Sequence, residues 1–71
     1  MGNNHFISVV IPVYNEQESI EILYSELYIA LEKYKTWEII FIDDGSTDQS
    51  FSIIQKIAKK DNHVTIIRLN K

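Results

Sequence analysis

Three runs of aliphatic residues constrain this chain more than any other feature. They are Phe6–Val13, Trp37–Asp43 and Val64–Leu69, and each holds two apolar neighbours in a row: Val9-Val10, Ile39-Ile40 and Ile66-Ile67. Side chains alternate faces along a strand, so adjacent apolar residues point opposite ways and the strand is apolar on both sides. Strands of that kind belong to parallel sheets, whose crossover connections cover the faces.

The stretches between the runs have a helical period. Ile20, Leu23, Leu27, Ala30, Leu31 and Tyr34 recur at helical steps, and Ile53, Ile54, Ile57 and Ala58 repeat the pattern. Asn15 is placed to cap the first helix, with Glu18 reaching back as in a capping box, and the helix is expected to run to about Tyr34. Lys33 and Lys35 suit its negative end. Ser46 or Thr47 is expected to cap a second helix over about Asp48–Lys60, closed by Lys59-Lys60. Pro12 has no N–H to donate, so the first strand should stop pairing there.

The order is therefore β-α-β-α-β, an α/β fold with a three-stranded parallel sheet and Rossmann-like connections. Right-handed crossovers put both helices on one face if the strands lie in sequence order. The other face is then apolar and uncovered. That predicts either self-association through it or a front piece of a longer protein. The second fits better, since no later element closes the sheet.

Seventy-one residues make one small domain, and with no cysteine it has neither disulfides nor thiolate metal sites. The net charge of -3, with no basic cluster beyond Lys56, Lys59 and Lys60, argues against a nucleic-acid partner. Residues 1–5 are expected to form a disordered terminus; they lack the basic start and apolar stretch of a signal peptide. No apolar run approaches the roughly 20 residues of a membrane span. A cytoplasmic location is expected.

The chemistry lies after the first two strands. Ile11-Pro12-Val13-Tyr14-Asn15-Glu16 closes one and Asp43-Asp44-Gly45-Ser46-Thr47-Asp48 the other. Open parallel sheets bind ligands beyond the carboxyl ends of their strands. If a single helix joins neighbouring strands, the two tips meet, and Val13, Tyr14 and Glu16 face Asp43, Asp44 and Ser46. This is no phosphate cradle: there is no glycine-rich fingerprint and no Walker lysine, and Glu16 and Glu18 repel an anion at the first helix start. Carboxylates beside an aromatic suit ribose hydroxyls, a base imino N–H or a hydrated cation. Each residue taken singly has a plainer reading. Asp44-Gly45 makes a turn, Asn15 a cap, Glu16 and Glu18 first-turn acids, and Tyr14 packs on the sheet end. His5 and His63 have no assigned role, and Trp37, Phe41, Phe51, Tyr24 and Tyr28 read as packing.

Ser8-Val9-Val10-Ile11-Pro12-Val13-Tyr14-Asn15-Glu16, a helix, and Glu38-Ile39-Ile40-Phe41-Ile42-Asp43-Asp44-Gly45-Ser46-Thr47-Asp48 together resemble the amino-terminal part of family 2 glycosyltransferases of the GT-A fold. The likeness runs over about residues 6–70, with Val64–Asn70 similar to that family's third strand. Glu16-Gln17-Glu18-Ser19-Ile20 is most similar to the polyprenyl-phosphate sugar transferases, the dolichol- or undecaprenyl-phosphate synthases. The resemblance implies that residues 6–71 are the nucleotide-binding front of a glycosyltransferase domain. It implies that Pro12, Tyr14 and Glu16 line a nucleoside pocket, with Tyr14 against the base and Glu16 near base or ribose. Ile42 would shape the pocket, Asp44 would accept the base imino N–H, and Asp43 would support the same loop.

The parent enzyme implied by the resemblance transfers a hexose, with inversion, from a UDP- or GDP-sugar to a polyprenyl phosphate. It works at the cytoplasmic membrane face, in cell-wall or membrane glycan synthesis, with Mg or Mn. The Asp-x-Asp metal motif of the family does not occur in these residues. The chain alone is expected to hold no cofactor, no catalytic residue and no metal ligand, and to be inactive. The competing class is a small non-catalytic module that binds another protein through its open sheet face. A receiver-type signalling domain fits poorly, because its acid pair follows the first strand.

Overall fold

The computed structural model describes residues 6–69, so the terminus expected to be disordered lies outside the described residues. Five elements follow in order: β1 (Phe6–Val13), α1 (Ile20–Leu31), β2 (Thr36–Asp43), α2 (Ser50–Lys60) and β3 (Val64–Arg68). The strands form one parallel sheet in the order β1-β2-β3.

The period of two sorts the side chains. Ile7, Val9, Ile11 and Val13 lie beside Trp37, Ile39, Phe41 and Asp43, which lie beside Val64, Ile66 and Arg68. This is the helix face: Ile39 and Phe41 have no exposed surface and pack with Ile20, Leu31, Ile54 and Ile57 from the two helices. Each fully buried side chain of this type contributes about 1.5–3 kcal/mol. Phe6, Ser8, Val10 and Pro12 lie with Glu38, Ile40, Ile42, Thr65 and Ile67 on the other face. There Val10 stays 54% exposed and Ile67 46%, so that face is uncovered among the described residues.

The pairing expected to stop at Pro12 runs on, with Pro12 opposite Ile42 and Val13 opposite Asp43. The Val13 carbonyl faces β2 and accepts the Asp44 N–H at 2.9 Å. Backbone groups alternate sides along a strand, so the N–H that Pro12 lacks falls on the open edge of β1 and costs the ladder nothing.

Helix α1 starts later and stops earlier than its apolar period suggests. Its N-cap is Ser19, with no side-chain capping bond, and Tyr34 lies beyond its end. The Tyr34 N–H turns back to the Leu31 carbonyl at 2.9 Å, which tightens the chain into β2. Helix α2 likewise opens at Ser50, its N-cap Gln49. At its far end the Asp61 carboxylate accepts the Tyr24 hydroxyl from α1 and the His63 N–H at 3.0 Å. His63 Nδ1 is 2.7 Å from the same carboxylate, and the ring stacks on Trp37 with centroids 3.6 Å apart. Burial pushes the Asp61 carboxyl up, but the bonds from Tyr24 and His63 outweigh it and hold the group below its ordinary range. Burial and the Asp61 carboxylate together raise the Tyr24 hydroxyl well above its ordinary value.

Candidate functional site

The tips after β1 and β2 are tied together. The Asn15 N–H donates to Ser46 Oγ at 3.0 Å, and Asn15 Oδ1 accepts the N–H of Thr47 at 2.8 Å and of Asp48 at 3.3 Å. The Glu16 N–H donates to Ser50 Oγ at 2.8 Å, and Gln17 Oε1 accepts the Gln49 N–H at 2.9 Å. Asp48 binds in both directions, accepting the Ser50 N–H at 2.8 Å and the Gln17 N–H at 3.4 Å. Burial pushes the Asp48 carboxyl up, but the bonds from Ser50 and Gln17 outweigh that and lower it.

Two expectations change here. Asn15 does not cap its own helix; its side chain crosses to the start of α2. Its φ of 52° is left-handed, whereas an N-cap has an extended backbone. Ser46 does not cap α2 either; it is buried and receives the Asn15 N–H. The helix start is held instead by Asp48, which accepts the Ser50 N–H, and by Gln17, which accepts the Gln49 N–H, while Asn15 binds the two residues just before them.

The residues singled out from the sequence fall into two groups. Pro12 and Ile42 are register partners on the open face, Pro12 exposed and Ile42 half-buried. Tyr14 follows on one tip, 56% exposed, and Asp44 on the other, half-buried and anchored through its N–H to Val13. Glu16 is exposed, its carboxylate accepting the Ser19 hydroxyl at 3.2 Å. Asp43 stands apart. It lies on the helix face with no exposed surface, its Oδ2 3.4 Å from Nε of Arg68. The Arg68 guanidinium in turn sits 4.0 Å over the Phe51 ring. That placement suits support of the tip rather than contact with a ligand. The alternation along β2 carries the signal, since Asp43 shares parity with the buried Ile39 and Phe41.

What can this edge do? It presents an aromatic ring, carboxylates and an apolar floor, while the cation named above, Arg68, is paired with Asp43 and stacked on Phe51. A shallow depression of about 410 Å³ lies beside the tie, lined by Asn15, Glu16, Gln17, Glu18, Ser19 and Asp48. Its acidic lining repels phosphate. Among the described residues no three His, Asp or Glu are placed to hold a metal ion. Asp43 is sealed against Arg68 and Asp48 is occupied by amides, so these carboxylates do not fit a divalent cation. Among the described residues no helix is long and apolar enough to cross a membrane.

The family model for glycosyl transferase family 2 matches residues 8–71. Similar curated proteins include the undecaprenyl-phosphate 4-deoxy-4-formamido-L-arabinose transferases of Salmonella paratyphi B, Salmonella newport and Salmonella heidelberg. Each is 48% identical over 67 residues, an alignment that takes in 92% of this chain and 20% of the relative. The chain thus spans about a fifth of the length of these curated relatives.

Proposed function

This chain belongs to glycosyl transferase family 2, and on that footing we propose that its two tips form the nucleoside-binding edge of a hexosyltransferase. Tyr14 lies against the base, Asp44 accepts the base imino N–H, Glu16 takes a base or ribose donor, and Pro12 and Ile42 form the floor. Asp43 holds the second tip from beneath. The observation that carries the reading is the tie between the tips, which brings Tyr14 and Glu16 to the same rim as Asp44.

The donor is a UDP- or GDP-sugar and the acceptor a polyprenyl phosphate, a choice supported by the undecaprenyl phosphate in the relatives' names. Transfer proceeds with inversion at the cytoplasmic membrane face. A bound Mg or Mn ion would neutralise the departing diphosphate. The carboxylates here do not fit that ion, so we assign it, and the carboxylate base, to other parts of the parent enzyme. By itself the chain binds nucleoside and transfers no sugar.

Titration with UDP and with GDP, followed by amide shifts in NMR, tests this. Shifts centred on Tyr14, Glu16 and Asp44 are expected for one of the two; a folded sample with no shift there rejects the edge. The exposure of Val10 and Ile67 favours a second reading, self-association through the open face. Sedimentation that stays monomeric at high concentration removes it.

A further inference from the structure

Helix α2 opens on backbone N–H groups of the kind that receive phosphates in many nucleotide-binding folds. Here the amides that lead into the helix are taken, those of Thr47 and Asp48 before it and those of Gln49 and Ser50 at its start. Thr47 and Asp48 donate to Asn15, Gln49 to Gln17 and Ser50 to Asp48. Most of the acceptors come from the opposite tip, and the best placed belongs to one residue. Asn15 can serve because its backbone is left-handed at φ 52°, a conformation Asn tolerates better than most side chains. That turn points its side chain at α2 while its own N–H reaches Ser46.

We propose that Asn15 is the positioning residue of the nucleoside edge. It touches no ligand. It clamps the first tip to the start of α2, so that Tyr14 and Glu16, its two neighbours in sequence, are held against Asp44. The proposal rests on the nucleoside reading above.

Two substitutions separate its parts. Asn15→Gly keeps the left-handed backbone and removes the acceptor, whereas Asn15→Asp keeps an acceptor oxygen in place. Each variant is examined by circular dichroism for folding, by amide hydrogen exchange at Thr47 and Asp48, and by UDP and GDP titration. The wild-type chain is expected to protect both amides and to bind one nucleotide. In folded Asn15→Gly the amides should exchange about tenfold faster and the affinity fall about tenfold, the scale of one or two lost hydrogen bonds. Asn15→Asp should restore both. A role confined to stability would lower the melting temperature and leave the affinity of the folded variant alone. Wild-type affinity in folded Asn15→Gly therefore overturns the positioning role while leaving the nucleoside edge standing. Protected Thr47 and Asp48 amides in that variant overturn the clamp itself. A wild-type chain that binds neither nucleotide overturns the nucleoside reading and this role with it.

Discussion

Removing Arg68 should expose how the second tip is supported. Asp43 has no exposed surface, and neither of its oxygens accepts a hydrogen bond from a described residue. Its electrostatic partner is Arg68, with Nε 3.4 Å from Oδ2. Arg68→Ala therefore leaves a carboxylate in the core without its counter-charge. Breaking a fully buried pair costs 3–5 kcal/mol, but the Arg68 side chain is 51% exposed and water screens the pair; about 2–3 kcal/mol is the discounted expectation. Part of that is stacking on Phe51, worth about 0.5–1 kcal/mol. In an Asp43→Asn background the charge is gone, so Arg68→Ala should cost only the stacking part. The coupling between the two sites is then about 1–2 kcal/mol. Urea unfolding at fixed pH, read by the fluorescence of the buried Trp37, measures all four corners of the cycle. Costs that add to within about 0.5 kcal/mol would mean that Arg68 does not support Asp43 and is only a surface residue.

Asp44→Asn should weaken uridine nucleotide binding roughly tenfold, because an acceptor oxygen facing an imino N–H is replaced by or turned into a donor; equal affinity by titration rejects the contact. Phe41→Ala should cost about 3–5 kcal/mol in urea unfolding, since the ring is fully buried at the centre of β2. Asp61 should give the fold an acid limb. Its carboxyl is lowered in the folded chain, so its contribution is complete above the unfolded value of about 3.9 and is lost as pH falls through the folded one. Asp61→Asn should flatten stability against pH on that limb, measured by circular dichroism in urea, and a limb unchanged in the variant excludes the Tyr24–Asp61–His63 group as its source.

Much of the fold was legible because strand signals are local and repeated. The first strand runs over Phe6–Val13 as its apolar run suggests, and the adjacent apolar pairs announce both the parallel sheet and its uncovered face. Helix starts were not legible. Asn15 followed by Glu18 reads as a capping box, yet its bonding partners Thr47 and Asp48 lie on another loop, and no local rule reports a contact made across that separation. Pro12 misled for a related reason: whether a missing N–H matters depends on which edge it faces. The tie of Tyr24, Asp61, His63 and Trp37 at the opposite end of the sheet was equally hidden, because it joins residues from α1, β2 and the loop after α2. Asp43 was half legible: its parity with Ile39 and Phe41 puts it inside, whereas its motif puts it at the site.

Whether the two tips jointly receive a nucleoside is decided by isotope-filtered NOE spectroscopy of the chain with its preferred nucleotide. NOEs from the base protons to the Tyr14 ring and to Ile42 are expected. Base NOEs confined to the groove between the helices, around Tyr24 and Lys56, would place the nucleoside elsewhere and remove the tips from its binding.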